Sequence, residues 1–469
     1  MDYTSKDIHS PEEIKKQIEV MRTYFDEGHT LSLDLRKKLL ISLEEEIQKN
    51  TEEICKAVFC DFHKPRGEMY LTEIFTVIGD LKHTIRNINK WARPQRVNTN
   101  LALLPSHSKI YKSPKGIVLS ISPWNYSFYL AMLPLIAAIA AGNVVVLKPA
   151  HETPQLSMLI KKIVEKVFDK RHVFVILGEG KSMGELLLNN FEFNHIFFTG
   201  SPRVGSWIME KAAKYLTPVT LELGGKSPSI IHKEFDHDYA AKKIVWGKFI
   251  NAGQTCVCTD YVLVHENNKQ QFIDCCIKYI KLFFGDDVFQ SKEYSHIINE
   301  QRFDTITSYL KEGNIVFGGK HDRKTLCIEP TILLLHNLDN AMMKDEIFGP
   351  ILPIVTYKDE KEIIDIVRRN RYPLSMYVFS SNYHFTKRMI EKIEFGGGCV
   401  NNTVYQIGNT HLPFGGIQYS GMGHYHGEVG FNTFSNLKSM LHNAKWFDLP
   451  LFYQPYTSNK LSILKKFFR

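Results

Sequence analysis

Cys256 closes the stretch Asn251-Ala-Gly-Gln-Thr-Cys256, a polar, glycine-containing connection between a helical pattern and an apolar strand. A thiol on such a loop, carried by a rigid scaffold, is placed to act as a nucleophile. Most free cysteines, however, are small buried hydrophobes, and a thiol alone decides nothing. Glu222 stands at the carboxyl end of the apolar strand Val219 to Glu222, just before Gly224-Gly225-Lys226. In an open α/β sheet that edge faces the ligand crevice, and partial burial raises a carboxyl pKa toward the range of a general base. The alternative is a carboxylate that merely caps or pairs with Lys226. Asn125, in Pro123-Trp-Asn-Tyr126, lies in a break at the carboxyl edge of an earlier strand. Its amide can donate to an oxyanion there, or cap the helix that follows.

The strand ending at Phe198 runs into Thr199-Gly-Ser-Pro-Arg-Val-Gly205 and then a helix, with Ser201 as N-cap and Pro202 at the first helical position. The free N–H groups and positive dipole end of a helix start suit a pyrophosphate, and Gly200 permits close backbone approach. The spacing is G-x-x-x-x-G and not the G-x-G-x-x-G fingerprint, so on its own this is equally an ordinary capped helix. Two more segments, Glu346-Ile-Phe-Gly-Pro350 and Leu412-Pro-Phe-Gly-Gly416 with Ser420-Gly-Met-Gly423 after it, have the glycine and proline density of shaped loops. Alone, each reads as turn chemistry.

The scaffold for these residues follows from the rest of the chain. Its 469 residues predict two or three packed units, and 44% hydrophobic with 23% charged residues excludes collagen-like, disulfide-framework and disordered classes. The net charge of +8 is mild, with no basic block that tracks a phosphate backbone, so no nucleic-acid partner is expected. The 8 cysteines are scattered and the start of the chain is polar, which predicts reduced thiols in the cytoplasm. No paired CxxC spacing suggests zinc, and no metal is expected.

Gly116 to Leu147 carries no Asp, Glu, Lys or Arg, a length that imitates a membrane span. Pro123, Asn125, Pro134 and Gly142-Asn143 instead divide it into a strand (Ile117 to Ser122), a loop, a helix (Phe128 to Ala141) and a second strand (Val144 to Leu147). Near-continuous apolar strands with a helical crossover belong to a parallel sheet covered on both faces. The rhythm continues through strands at 173–176, 195–198 and 219–222, and then through a second series at 261–264, 331–335, 351–355 and 375–379 with helices between. The expected fold class is α/β, with two doubly wound lobes. Residues 11–90 read as mostly helical, and 94–113 as a polar, Pro-punctuated extension.

Together these pieces resemble the NAD(P)-dependent aldehyde dehydrogenases, and within them the class 3 branch that handles fatty and aromatic aldehydes. The segments that carry the resemblance, in the family's order, are PWNY at 123–126, LKP at 147–149, FTGS at 198–201, LELGGKSP at 221–228, GQTC at 253–256, EIFGP at 346–350 and LPFGG at 412–416. SGMGHYHG at 420–427 and a short N-terminus point to class 3.

The resemblance implies a Rossmann-like NAD(P)-binding domain over 1–221, with 94–116 as an oligomerisation extension, and a catalytic domain over 222–420. Residues 421–469 are expected to return to the cofactor domain and to a homodimer interface. It further implies that Cys256 attacks the aldehyde, that Asn125 and the Cys256 N–H stabilise the thiohemiacetal oxyanion, and that Glu222 activates water to hydrolyse the thioester. Lys148 and Glu346 resemble the residues that hold the riboses, and Thr199, Gly200, Ser201 and Gly205 those around the pyrophosphate. Phe348 would pack near the nicotinamide, with Tyr126 and Phe414 lining the aldehyde tunnel.

Departures from the family carry expectations too. Where the family often has a ribose-binding Glu, this chain has His151, with Glu152 one step on; without the carboxylate's repulsion of a 2'-phosphate, use of both NAD and NADP is expected, NADP gaining as pH falls from about 8 to about 6. Cys258 replaces a usually small residue. No membrane-spanning anchor like that of membrane-bound class 3 members is expected, while Leu461, Ile463, Leu464, Phe467 and Phe468 interspersed with Lys460, Lys465, Lys466 and Arg469 suggest a weak peripheral membrane contact or a tail packed on protein. Two rival readings have discriminators. A cysteine hydrolase using Cys256 and Glu222 would hydrolyse esters without binding NAD(P), and a silent structural protein would oxidise no aldehyde.

Overall fold

The computed structural model describes residues 9–335 and 337–467, which form two large, mostly parallel sheets and two small antiparallel ones. In the first sheet the order is Gly421–Met422, Val219–Glu222, His195–Thr199, Ile117–Ile121, Val144–Lys148 and Val173–Val175, parallel except for the two-residue edge strand. Chain order reverses at Ile117–Ile121: later strands add first on one side and then on the other. The loops after Ile117–Ile121 and His195–Thr199 therefore flank a topological switch point, where ligands bind in open α/β sheets.

Why the strands read as continuous apolar runs is visible in their packing. Ile117, Leu119, Val144, Val146, Ile196 and Phe198 face one core, with the helices Pro11–Asp26, Gly180–Asn190 and Pro202–Ala213. Val118, Val145, Leu147 and Phe197 face another, under Ser127–Ala141, Pro154–Val167 and the helices of residues 33–91. Successive side chains leave a strand on opposite faces, and both faces are dry. The charge-free helix Ser127–Ala141 is buried all round and runs continuously through Pro134.

The second sheet orders Gly313–Phe317, Thr331–Leu335, Ile351–Tyr357, Tyr261–His265, Pro228–Ile231, Ser375–Phe379 and Gly397–Val400, and only the first of these is antiparallel. Val262 and Val264 face one of its cores, and Tyr261 and Leu263 the other. The extension expected over 94–113 contributes two strands, Gln95–Val97 and His107–Pro114. The strand Ser435–His442 pairs along all eight residues of the second, forming a three-stranded sheet. No helix among the described residues is long and apolar enough to cross a membrane. The tail is helical over Ser458–Phe467, whereas Phe468 and Arg469 lie outside the described residues.

Candidate active site

The helix His237–Phe249 ends in a turn with three consecutive left-handed residues, Asn251 (φ 52°), Ala252 (φ 50°) and Gly253 (φ 74°). Such backbone persists only where its surroundings over-determine it. At Gly253 a Cβ would collide with the carbonyl of Gly349, so the position demands glycine twice over. The Asn251 amide donates to the carbonyls of Asn125 (2.8 Å) and Gln254 (3.1 Å). Gln254 in turn donates to the carbonyls of Asn251 and His296 (3.0 Å each) and accepts from the Ile298 N–H (3.1 Å). Cys256 emerges from this lattice into a cavity of about 350 Å³.

Asn125 Nδ2 donates to the Gln254 carbonyl at 3.1 Å, which sets its amide two residues from Cys256. It does not cap the next helix. The first amides of that helix, from Phe128 and Tyr129, donate to Glu73 Oε2 at 3.0 and 3.1 Å.

Glu222 borders the same cavity, buried, with both carboxylate oxygens lacking a hydrogen-bond partner among the described residues. Burial holds its carboxyl well above the usual range. Lys226 is not its partner: that ammonium lies 2.5 Å from Asp260 and donates to the Met342 carbonyl at 2.6 Å. Burial also pushes the Cys256 thiol up, and the carboxylates of Glu346 and Glu222 push it further. Burial therefore disfavours the thiolate, which forms only as its proton is taken.

Aromatic side chains make up much of the remaining wall, including Trp124, Tyr126, Tyr129, Phe348, Phe414 and Tyr425. Trp124 meets Phe348 edge to face, centroids 5.5 Å apart, and the Tyr126 hydroxyl lies 2.8 Å from Thr255 Oγ1. Phe414 and Tyr425 exchange backbone hydrogen bonds (3.0 and 2.8 Å). Tyr129 OH reaches His426 Nε2 at 2.9 Å.

Thr199, Gly200, Ser201 and Glu346 also line the cavity. Ser201 caps the helix Pro202–Ala213 by accepting from the Val204 N–H at 3.4 Å, and Gly205 packs on Leu223. The buried Thr199 hydroxyl has no hydrogen-bond partner among the described residues. The Glu346 carboxylate fills the space a Cβ at Gly224 would take, and burial raises its pKa to about 8. Phe348 holds a left-handed φ of 48°, with the Arg302 guanidinium 5.9 Å from its ring.

Lys148 and His151 lie off this cavity, at and beyond the end of the next strand. Lys148 is buried, donates to the Pro149 carbonyl (3.1 Å) and is pulled down to about 8 by desolvation. His151 Nδ1 lies 3.0 Å from Glu152 Oε2. A helix start, an orphaned hydroxyl, a buried lysine and a carboxylate cradled over glycine fit a dinucleotide. Among the described residues no group of three or more His, Cys, Asp or Glu side chains is placed to hold a metal.

Sequence reasoning passed over Glu68, Thr72, Glu73 and Arg302, which meet the site or its supports. The three from residues 68–73 sit on a charged, helical stretch with no motif around them, and no local signal marks them out.

A nucleotide-type parallel sheet and a second α/β lobe meet at one cavity bearing a thiol, an amide and an unpartnered carboxylate, the outline of a nucleotide-dependent enzyme with covalent thiol chemistry. The model of the aldehyde dehydrogenase family matches residues 6–440, and the chain belongs to that family. It is 39% identical to the 4,4'-diaponeurosporen-aldehyde dehydrogenase of Staphylococcus aureus, over 96% of this chain and 97% of that one. The dimeric, NADP-preferring aldehyde dehydrogenase of Rattus norvegicus is 37% identical, over 91% and 94% of the two chains. A solved structure, the substrate-bound state of Staphylococcus aureus AldH, superposes with a TM-score of 0.94 at 38% identity, covering 97% of this chain and 99% of the other. The protein is an NAD(P)-dependent oxidoreductase of class 3 type that converts aldehydes to carboxylic acids.

Proposed function

We propose that Cys256 is the nucleophile, Asn125 the oxyanion donor and Glu222 the general base of this oxidation. The observation that carries the reading is the Asn125 amide held 3.1 Å from the Gln254 carbonyl, on a cavity shared by Cys256 and the unpartnered Glu222. As the Cys256 thiol gives its proton to solvent water, a bond forms from Sγ to the aldehyde carbon and the carbonyl π bond breaks onto oxygen. The developing alkoxide is met by Asn125 Nδ2 and the Cys256 N–H. When bound, the nicotinamide supplies the two-electron acceptor that turns the thiohemiacetal into a thioester. Glu222 then takes a proton from water as it attacks the acyl carbon, the C–S bond breaks, and the acid leaves.

Thr199, Gly200 and Ser201 present the helix start to the pyrophosphate, with Gly205 seating that helix on the sheet. With the cofactor bound, Lys148 and Glu346 would hold the riboses, His151 would bear on the choice between NADP and NAD, and Phe348 would pack near the nicotinamide. Tyr126 and Phe414 belong to an aromatic wall that suits medium or long aliphatic and aromatic aldehydes.

The domain reading is 1–221 for cofactor, 222–420 for catalysis and 421–469 returning to the cofactor domain. It is supported by Gly421–Met422 pairing on Val219–Glu222 and by Ser435–His442 pairing on His107–Pro114. The second of these forms a sheet edge with Leu437, Met440 and Leu441 exposed, which supports a homodimer. The protein acts in the cytoplasm, with a weak, reversible membrane contact through Leu461 and Ile463, both exposed on a helix that carries Lys465 and Lys466. Liposome flotation with and without residues 461–469 checks that contact, which an unchanged result removes.

Nicotinamide absorbance, followed with NAD and NADP across short, long-chain and aromatic aldehydes, tests reaction, cofactor and substrate together. Cys256→Ala should lower oxidation at least roughly a thousandfold while cofactor binding persists. Residual oxidation within about tenfold of wild type removes Cys256 from the mechanism.

A further inference from the structure

The segment from Lys64 to Ile74 is remote in sequence from every motif above, yet it touches both halves of the site. Arg66–Met69 forms a helical turn that runs into a π-helical stretch, Tyr70–Ile74, a conformation that concentrates at functional sites. Lys64 is fully buried, 2.6 Å from Glu73 and 3.8 Å from the centroid of the Tyr126 ring. Glu73 holds the first amides of the helix that follows Asn125. Glu68 Oε1 accepts the N–H of Asn251 at 2.8 Å, at the first left-handed residue of the turn leading to Cys256.

We propose that Glu68 is a positioning residue for aldehyde oxidation, its carboxylate holding the Asn251 N–H and with it the turn that sets Cys256 against the Asn125 amide. The proposal rests on the reading of Cys256 as nucleophile. The helix before the turn makes its last bond from Ile250 N–H to the Trp246 carbonyl. The next amide, Asn251, has left the ladder and needs an acceptor from elsewhere. A carboxylate is a stronger acceptor for it than a neutral oxygen.

Through its side chain Asn251 also grips the Asn125 and Gln254 carbonyls. A shift at Asn251 therefore displaces nucleophile and oxyanion donor relative to each other, and misplacement by about 1 Å costs on the order of a hundredfold in rate.

Glu68 faces Lys64 and Glu73 from its own segment, Glu293 and Tyr294 from the other lobe, and Tyr126 from the loop after Ile117–Ile121. Desolvation raises its carboxyl to about 7, against the pull of Lys64 and the Asn251 N–H. Protonation near neutrality weakens the acceptor, so the acid limb of activity contains Glu68 as well as Glu222.

The test compares kcat and KM of the full-length enzyme with Glu68→Gln and Glu68→Ala from about pH 5.5 to about pH 9. Gln keeps an acceptor oxygen but cannot ionise. It should stay within about threefold of wild-type kcat at about pH 8, and that gap should close as pH falls through about 7, where wild-type Glu68 becomes neutral as well. Glu68→Ala should lose roughly tenfold to a hundredfold in kcat with cofactor KM unchanged. Wild-type kcat in Glu68→Ala, a fall in Glu68→Gln as deep as that in Ala, or an unaltered acid limb in Glu68→Gln each overturns the proposal. Should Glu68→Ala lack a cooperative thermal transition, the acid limb of Glu68→Gln decides alone. Turnover by Cys256→Ala would instead remove the nucleophile reading, whatever Glu68 does.

Discussion

Lys226 stands four residues after Glu222 yet forms its ion pair with Asp260, 2.5 Å away, which leaves the Glu222 carboxylate free on the cavity wall. Asp260 also accepts the Ile347 N–H at 3.1 Å. One buried pair thus ties the Gly224-Gly225 turn to the segment that carries Glu346 and Phe348.

Removing one partner strands the other. Lys226→Met should destabilise the protein by about 3–5 kcal/mol, because Asp260 is left charged in a dry interior. Lys226→Met with Asp260→Leu should recover much of that loss. Chemical denaturation measures both, and a single variant as stable as wild type would show that the pair is dispensable.

For Glu222 the sign of the pH effect follows from its raised carboxyl. The folded state favours the protonated acid, so this residue's stabilising contribution is complete below the ordinary carboxyl pKa and is lost as pH rises through the elevated value. Glu222→Gln, which stays neutral, should gain in thermal midpoint over wild type as pH rises. Its catalysis should move the opposite way: hydrolysis needs the ionised base, so acyl-enzyme accumulates on Cys256 in the variant. Intact-mass measurement during turnover checks this; no acyl adduct at undiminished turnover refutes the role.

Asn125→Ala should lower kcat by about 10²–10³-fold, the usual loss for one oxyanion donor, with cofactor KM little changed. Stopped-flow measurement of the first turnover locates the defect. A variant slow only after the first turnover would place Asn125 outside the acylation step.

His151 lies beside Glu152 and beyond the end of the Val144–Lys148 strand, so a carboxylate placed there would oppose a 2'-phosphate. His151→Glu should cut kcat/KM for NADP by roughly tenfold or more while NAD changes less. Equal changes for the two cofactors, or no use of NADP by wild type, remove His151 as the determinant.

Much of the architecture was legible because parallel strands covered on both faces must be apolar at successive positions, and helices between them must carry caps. Ser201 and Pro202 marked one helix start, and Gly142 the end of another. The helix expected over Phe128 to Ala141 runs through Pro134 as Ser127–Ala141: inside a helix buried on nearly every side, neighbouring elements hold it together there. The extension over residues 94–113 could not be read as two strands, since the second of them, His107–Pro114, pairs along its length with Ser435–His442, more than 300 residues on.

The sequence by itself determined the two α/β lobes, the positions of Cys256, Glu222 and Asn125 at strand and helix ends, and the family to which those motifs belong. All of these are written in local spacing, which short-range sterics and burial read directly. Only the tertiary structure decided that Asn125 serves the Cys256 loop and not its own helix, that Lys226 turns to Asp260, and that Glu68 and Glu73 brace the site from a stretch without a motif. Those choices are made between residues far apart in the chain, where the cost of leaving a buried donor or charge unpaired selects among partners that only folding brings within reach.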